Sequence, residues 1–450
     1  MENFPYFIDL ENILCYRYYM IEECPKVHGI PYKEILINRD YASIISNIND
    51  EYYYWDKVKY HSPEGIDPED FWASVKYLRR ANYKLYPFYT CELSFFETNK
   101  MQEILHNIDM NFGEVLASSS LIPDKNKQYY LLSSIMEEAI ASSQMEGAST
   151  TRKVAKEMLR KQAKPKDKSQ QMILNNYNTI RYLSEHKDQG LTPDLLLTIH
   201  KQITENTLDN PEDEERFRTE DNIHVMNVMT GEVAHEPPSY KLLEDSITQL
   251  CIFINEDKTF IHPIIKAIIL HFMISYLHPF ADGNGRTARS LFYWYMLKKG
   301  YWLTEYLSIS RIIYKSKVQY EKAFLYTEHD EFDLGYFVNY NLKVFNEAFN
   351  ELKLYLERKA QENEAVLEYR IPGLNERQIQ IIKICAEKPS SMFTSKDLET
   401  RFNVSVKTLR SDLEGLVSAG LMETVPLNKR LTGYTRCKDF ESRLEEIRGN

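Results

Sequence analysis

The sequence has few of the features that mark disulfide-rich, zinc-binding or membrane-spanning proteins. Six cysteines are spread over the whole chain without a Cys-x-x-Cys pair, which suits a reducing compartment and argues against a structural zinc site. No apolar run reaches the roughly 18 residues that a membrane span needs. The start, MENFPYFIDLEN, is acidic and polar, whereas a signal peptide is basic and then apolar. We therefore expect a cytoplasmic protein without a membrane partner.

The composition is that of a large globular protein. The chain has 450 residues, of which 43% are hydrophobic and 27% are charged. It can therefore bury a sizeable core and is long enough for more than one domain. A net charge of −11 argues against a chain that coats nucleic acid or anionic lipid along its whole length, but leaves room for a smaller basic module.

Helical periodicity dominates, and we predict a mostly α-helical fold. Residues 1–95 form an aromatic-rich N-terminal region, and we expect its aromatic side chains in the core. Segments 128–145 and 263–277 have helical periodicity, and the second is apolar almost all round, which is typical of a helix at the centre of a bundle. Residues 222–239 contain two short extended runs joined by a turn, which predicts a β-hairpin.

A charged helical linker at residues 351–372 precedes a C-terminal domain at 373–450. We predict a winged helix-turn-helix in this domain. Its three helices are expected at 376–385, 395–402 and 405–419, and its hairpin wing at 421–436.

The charge of the C-terminal domain differs from that of the rest of the chain. Residues 373–438 contain eleven Lys and Arg against seven Asp and Glu, a net charge of +4 that leaves −15 for the remainder. Positive charge permits contact with DNA. The residues available for it at the start of the third helix are Ser405, Lys407, Thr408 and Arg410. Winged helices also dock proteins, so DNA and protein both stay open as partners.

The loop HPFADGNGRTAR, residues 278–289, offers a base and a metal ligand close together. His278 is an imidazole with an ordinary pKa near 6.5, so most of it is a free base at neutral pH. Pro279 is expected to end the preceding helix, and Phe280 is the apolar anchor of the loop. Asp282 supplies a hard carboxylate oxygen suited to Mg²⁺.

The same loop also offers groups that bind anions. Gly283, Asn284 and Gly285 allow successive backbone N–H groups to converge, and the positive end of a new helix follows. Arg286 and Arg289 lie on one side of that helix and add charge that can bind phosphate oxygens in pairs. The stretch is therefore a candidate active site for chemistry at phosphorus.

This loop resembles the signature of the Fic family, HPFx(D/E)GNGRxxR, at every specified position. The resemblance implies a protein adenylyltransferase that moves AMP from ATP to a Ser, Thr or Tyr hydroxyl of a target protein, with His278 as the general base. Asp282 would hold Mg²⁺ between the α- and β-phosphates. The charge on these phosphates would be stabilised by the glycine-rich turn, Asn284 and Arg286. Arg289 would reach the γ-phosphate.

The resemblance has further implications for fold and partners. The Doc branch, which transfers phosphate, carries lysine where this chain has Gly285, so the glycine favours AMP transfer. The Fic fold implies a helical N-terminal segment at 96–160 and a catalytic core at 161–350. A homodimer and modification of the chain by itself are both compatible with the family, and the target protein is open.

A second motif, SSQMEG, lies at the end of the helix predicted at 128–145. Ser142, Glu146 and Gly147 resemble the inhibitory motif (S/T)xxxE(G/N) of the Fic family. The resemblance implies that Glu146 forms a salt bridge with Arg289 and so blocks productive ATP binding, while Ser142 fixes the helix. Some relatives with this layout also remove AMP from the target, and this possibility is open here.

The predicted hairpin occupies the place of the Fic flap, which pairs with the backbone of the target as an added strand. The flap residues are Ile223, His224, Val225, Met226, Val233 and His235. Phe217 and Arg218, just before it, resemble the family's GxFR, but Glu215 replaces the usual glycine and puts the geometry of that turn in doubt. A second function also stays open: a DNA-binding regulator whose Fic domain senses ATP or modifies the regulator itself.

Overall fold

The computed structural model describes residues 21–27, 33–112, 124–226, 231, 233–368, 373–402, 404–428 and 431–448. The chain divides into two compact units, Met1–Leu352 and Lys353–Asn450. Most described residues are helical, as the sequence predicts. None of the helices in these ranges is both long and apolar enough to cross a membrane.

The elements of the first unit are mainly helices with two short hairpins. The helices are α1 (Lys33–Ile37), α2 (Arg39–Glu51), α3 (Trp55–Val58), α4 (Pro68–Arg80), α5 (Asn99–Phe112), α6 (Asp124–Met145), α7 (Arg152–Lys161), α8 (Lys168–Glu185), α9 (Pro193–Thr204), α10 (Leu243–Asn255), α11 (Pro263–Leu277), α12 (Asn284–Lys298), α13 (Ile309–Lys315), α14 (Lys317–His329) and α15 (Gly335–Glu368), within which the boundary between the units falls. The strands are β1 (Lys84–Pro87) with β2 (Glu92–Phe95), and β3 (Val225–Met226) with β4 (Val233–His235), each pair antiparallel.

Helix α11 is the centre of the first unit. It is apolar on every side and nearly all of its residues are buried, as the sequence predicts. His262 caps its start by accepting a hydrogen bond from the backbone N–H of Ile264, and Pro263 occupies the first turn, where a missing N–H costs nothing. Helix α12 follows after a short loop and packs against α11 along its length. The two helices hold the ends of the candidate active-site loop in place.

Several described aromatic residues of the N-terminal region lie in the core, as expected, whereas Tyr60, Tyr77 and Tyr89 are exposed. Tyr54 and Trp55 are buried, and the Tyr54 ring stacks on Tyr326 of α14 at 4.0 Å between ring centroids. Tyr52 is also buried and donates a hydrogen bond of 2.6 Å to Asp333. The described N-terminal residues therefore pack on α14 and the start of α15 as part of the first unit.

A buried group of charges joins the same elements. Lys76 of α4 lies 2.6 Å from Asp330 and 2.8 Å from Asp333, and all three side chains are almost fully buried. Arg79, one turn later, donates to Asn49 and to the hydroxyl of Tyr336. Each charge has a partner, which is the condition for keeping ionic groups inside a protein.

The second unit contains α16 (Glu376–Glu387), β5 (Met392–Phe393), α17 (Ser395–Phe402), α18 (Val406–Ser418), β6 (Met422–Asn428), β7 (Leu431–Arg436) and α19 (Phe440–Arg448). The strands form an antiparallel sheet in the order β5-β7-β6. The three helices and the hairpin predicted from the sequence are present, and β5 and α19 add to them. Leu409, Leu413 and Leu416 of α18 lie in a core that belongs to this unit alone.

Candidate active site

Helix α11 ends at the candidate base. His278 has a left-handed backbone, with φ of 46°, and its N–H bonds the carbonyl of Ile274 at 3.1 Å. The sequence predicts that Pro279 ends the helix, and the break falls one residue earlier because a proline disfavours the helical conformation of the residue before it. Arg218 Nε donates to the carbonyl of His278 at 3.0 Å and holds this turn.

The His278 ring is held as a neutral base. Its Nδ1 lies 3.1 Å from the carbonyl oxygen of Ser275. Because a carbonyl can only accept, Nδ1 carries the proton and Nε2 is the free basic nitrogen. Burial lowers the pKa of His278 to about 4, and the charges of His235 and Arg218 act in the same direction. The ring is therefore neutral at neutral pH, with its proton on Nδ1.

The loop after His278 is anchored by Phe280. This side chain is fully buried, and its ring stacks on His200 of α9 at 3.9 Å and on Phe217 at 5.5 Å between centroids. Asn284 accepts a hydrogen bond from the N–H of Phe280 and donates one to its carbonyl. The anchor predicted for Phe280 therefore has two supports, and the Asn284 amide is used within the loop.

Asp282 lies at the surface of the loop, opposite a buried arginine. Its side chain is 49% exposed and forms an ion pair of 3.2 Å with Arg286, whose side chain is fully buried. Arg286 also donates to the carbonyl of Ile203. Its Nε is buried and has no hydrogen-bond partner among the residues that the structure describes.

Helix α12 begins within the loop and points its N-terminus at the site. Gly283 has φ of 86°, a conformation that side chains disfavour, and precedes the first helical residue, Asn284. The first N–H groups of any helix have no partner inside it. Together with the helix dipole, these N–H groups favour negative charge at the turn of Gly283 and Gly285.

Arg289 is bound by two residues of the predicted inhibitory motif. Its Nε donates to the hydroxyl of Ser142 at 2.9 Å, and its Nη2 lies 2.8 Å from a carboxylate oxygen of Glu146. The arginine is buried, whereas the Glu146 side chain is 31% exposed. Burial acts to raise the pKa of Glu146, but the charge and hydrogen bond of Arg289 outweigh it and hold this pKa below its usual value.

The contact between Glu146 and Arg289 depends on glycine at position 285. A Cβ on Gly285 would overlap the Glu146 carboxylate and touch the Arg289 guanidinium. Gly147, just after the end of α6, has φ of 91°, a left-handed conformation that favours glycine. A side chain at 285, such as the lysine of the Doc branch, is therefore incompatible with Glu146 in this position.

Sequence reasoning missed two buried groups that support the site. Glu138 of α6 accepts hydrogen bonds from the hydroxyl of Tyr293 and the N–H of Ser310, and so ties α6 to α12 and α13. His200 donates from Nε2 to the carbonyl oxygen of Asp282 at 3.1 Å, because a carbonyl can only accept. Neither residue belongs to a recognisable local motif.

The described part of the predicted hairpin pairs as expected. Val225 of β3 faces His235 of β4, and Met226 faces Val233. Ile223 and His224 lead into β3. Residues 227–230 and 232, which complete the predicted hairpin, lie outside the described residues.

The turn before Phe217 has a left-handed residue that is not glycine. Glu215, which replaces the usual glycine of the family pattern, has φ of 57°, in the left-handed region that glycine favours. Its carboxylate forms an ion pair with Lys201 of α9. Arg218, three residues later, still reaches the carbonyl of His278.

Residues 190–296 match the Fic/DOC family. They include α9, the hairpin, α11 and nearly all of α12, so the candidate active-site loop lies inside the match. The segment with Ser142 and Glu146 lies outside it.

Named relatives match over a similar part of the chain. The protein adenylyltransferase Fic of Nematostella vectensis is 27% identical over 133 residues, which cover 29% of this chain and 29% of the relative. The protein adenylyltransferase fic-1 of Caenorhabditis elegans is 31% identical over 120 residues, which cover 26% of this chain and 22% of the relative. The chain thus spans less than a third of the length of these curated relatives.

Some solved structures are similar to this chain. One is Fic-1 from Caenorhabditis elegans, which is 18% identical in sequence, with a TM-score of 0.49. The matched region covers 74% of this chain and 90% of the Fic-1 chain. A Fic family protein from Desulfovibrio desulfuricans is also 18% identical, covers 75% of this chain and 95% of that chain, and has a TM-score of 0.48.

Proposed function

We propose that this chain is a protein adenylyltransferase that moves AMP from ATP to a hydroxyl group of a protein. The match of residues 190–296 to the Fic/DOC family supports this proposal. The observation that carries the proposal is the neutral His278, whose free nitrogen lies at the start of a loop that leads into the N-terminus of α12. A base beside an anion-binding helix end is what transfer of a nucleotide to a hydroxyl needs. The relatives named above as protein adenylyltransferases support the same reaction.

The proposed reaction uses His278 as the base. Its Nε2 takes the proton of a Ser, Thr or Tyr hydroxyl as the hydroxyl oxygen attacks the α-phosphorus of ATP. The bond between that phosphorus and the oxygen leading to the β-phosphate breaks, and pyrophosphate leaves. Because Nδ1 is held by Ser275 and the carbonyl of His278 is held by Arg218, the ring needs little reorganisation before it accepts the proton.

Asp282 fits a magnesium ion that arrives with ATP. Its carboxylate is half exposed, and a single carboxylate together with phosphate oxygens and water suits this ion. Among the described residues, no group of three or more His, Cys, Asp or Glu side chains could hold a resident metal. When bound, Mg²⁺ would neutralise charge on the phosphates and favour departure of pyrophosphate.

The remaining phosphate contacts come from α12. Its first N–H groups are proposed to bind the α- and β-phosphates, where charge accumulates as pyrophosphate leaves, and the positive charge of the buried Arg286 is proposed to stabilise them there. Arg289 would bind the γ-phosphate once its present partner moves away. Gly285 leaves this proposed phosphate-binding turn free of a side chain.

We propose that Glu146 inhibits the enzyme by occupying Arg289. Its carboxylate lies 2.8 Å from the guanidinium nitrogen, so a γ-phosphate cannot use the same donor at the same time. Ser142 supports this state by accepting a hydrogen bond from Arg289 at its hydroxyl and another at its carbonyl. Removal of AMP from a modified target, with Glu146 positioning water, remains a further property to be tested in the same chain.

The pH dependence of transfer tests the role of His278. The base acts only when neutral, so lowering pH through its pKa of about 4 removes activity. The assay follows self-labelling of a Glu146→Ala chain with Mg²⁺ and ATP labelled at the α-phosphate. We expect the maximal rate to stay nearly constant from pH 7 to about 5 and to fall below pH 5. With an unperturbed imidazole as the base, the rate would instead fall to half near pH 6.5. Circular dichroism at each pH controls for unfolding. A midpoint near 6.5 in a folded protein would contradict the assignment, and no label at any pH would contradict the reaction.

A second proposal concerns the C-terminal unit, which we propose binds DNA as a winged helix. Lys407 is exposed, and the Arg410 side chain is 64% exposed, both near the start of α18. In the full-length chain, Lys407→Ala with Arg410→Ala should weaken binding to duplex DNA about tenfold or more and reduce the salt dependence by about one unit of slope per removed phosphate contact. A mobility-shift series at several salt concentrations measures both, with the exposed Lys388→Ala as control. If wild-type protein shifts no DNA at low salt, the unit serves as a protein-docking module.

A further inference from the structure

His235 is the last residue of β4 and lies close to the catalytic base. Its side chain is only 8% exposed, and its ring lies 5.4 Å from that of Tyr276, two residues before His278 on the chain. In the extended pairing of the hairpin it faces Val225. The residue thus sits where the hairpin meets the end of α11.

Both ring nitrogens of His235 face hydrogen-bond acceptors. Nδ1 lies 2.7 Å from a carboxylate oxygen of Glu328 in α14, and Nε2 lies 2.8 Å from the carbonyl oxygen of Tyr276. A neutral imidazole has one N–H group and can satisfy only one of two acceptors. The geometry therefore fits the doubly protonated ring, which donates to both.

The surroundings of His235 contain one negative and several other polar groups. These are Glu328 of α14, Arg218 of the segment before the hairpin, Tyr276 and His278 at the end of α11, and Cys91 beside Glu328. Burial acts to lower the pKa of His235, and Arg218 adds to this. The hydrogen bond and charge of Glu328, with the carbonyl of Tyr276, outweigh both and raise this pKa above its usual value.

We propose that protonated His235 is a positioning residue that fastens β4 to the end of α11, and that the hairpin loosens when rising pH removes this proton. The two hydrogen bonds connect three elements: β4, the last turn of α11 and α14. A histidine with a raised pKa contributes its stabilisation at low pH and loses it as pH rises through that pKa. The importance of this clamp for aligning a target hydroxyl rests on the proposed function, but the clamp itself does not.

The clamp is tested by titrating His235 in the full-length protein. Histidine rings labelled with ¹³C and ¹⁵N are followed by NMR between pH 5 and 9, and the His235 signals are identified by their loss in His235→Gln. In the wild type we expect the His235 midpoint above pH 6.5. In Glu328→Gln we expect it at least about one pH unit lower, because an opposite charge at this distance shifts a pKa by about one unit or more. Glu321→Gln, on the same helix but paired with Lys317, is the control and should leave the midpoint unchanged.

The effect on the hairpin is measured by hydrogen exchange of the peptide covering residues 233–235, corrected for the intrinsic rate at each pH. Its protection should fall about tenfold as pH passes the His235 midpoint, and this fall should move to lower pH in Glu328→Gln. The proposal would be overturned by a wild-type His235 midpoint below pH 6.5, or by exchange protection of residues 233–235 that does not change as the ring loses its proton. If Glu328→Gln does not fold, the proposal is decided by the wild-type titration of His235 and the wild-type exchange of residues 233–235. Neither measurement uses AMP transfer, so failure of the proposed reaction would leave them intact.

Discussion

Replacing His278 with alanine in a chain that already carries Glu146→Ala is expected to reduce AMP transfer by about 10²- to 10⁴-fold, the usual contribution of a positioned general base. The hydroxyl would then have to lose its proton to water. The phosphate contacts of α12 would remain, because Asn284 and Phe280 hold the loop independently of the imidazole ring. ATP binding should therefore change little, and the loss should appear in the maximal rate.

The measurement is single-turnover self-labelling with ATP labelled at the α-phosphate, together with ATP affinity from calorimetry. His262→Asn is the matched control, since it changes a histidine at the other end of α11 and keeps a side chain that can cap the helix. It should transfer AMP at the parental rate. Equal rates with and without His278 would assign the base to another group, and a large loss of ATP affinity would make the histidine a binding residue.

Removing the Glu146 carboxylate is expected to increase transfer by about 10- to 100-fold. The hydrogen bond from Arg289 to a charged carboxylate contributes about 1.5–3 kcal/mol, and under the proposed mechanism the γ-phosphate has to displace it in the wild type. Because each 1.4 kcal/mol corresponds to a factor of ten, release of this competition gives an effect of that size. Partial exposure of the Glu146 side chain places the result toward the lower end.

Glu146→Ala is compared with Glu137→Ala, a glutamate of the same helix whose partners are Arg152 and Lys156. The first variant should bind Mg²⁺·ATP with all three phosphates engaged and label itself faster, whereas the second should behave like wild type. An equal gain in both would point to a general loosening of α6. No gain in Glu146→Ala, with ATP bound and the protein folded, would remove the inhibitory role.

The loop was predictable because its chemistry is local. Its base, carboxylate, glycines and arginines follow one another within residues 278–289, and the apolar run of 263–277 predicts the buried helix that presents them. The left-handed turns at Gly283 and Gly147 follow from the need for positive φ at a helix end.

The contacts between distant parts of the chain were not predictable from residue patterns. The pair of Arg289 with Glu146 spans 143 positions and was expected only through the resemblance to a family. No pattern places Glu138 against Ser310, which lies 172 positions away. Such pairings depend on how helices pack, and the sequence of α6, in which Glu138 follows another glutamate, carries no local signal of its partner.

His235 illustrates the same limit at the hairpin. The sequence predicts the hairpin from two extended runs, and the family resemblance gives it a role in target binding. That both ring nitrogens meet acceptors depends on Glu328, 93 positions away, and on a backbone carbonyl of α11. Protonation states set by tertiary neighbours are therefore visible only in the fold.

The most direct test of the central claim is the intact mass of the Glu146→Ala chain after incubation with Mg²⁺ and ATP, beside the variant that also carries His278→Ala. We expect the first protein to gain the mass of AMP on a Ser, Thr or Tyr side chain, and the second to gain nothing. A gain of a single phosphate would assign the chain to phosphate transfer. No gain in either protein, with ATP binding demonstrated in both, would contradict adenylylation at this site.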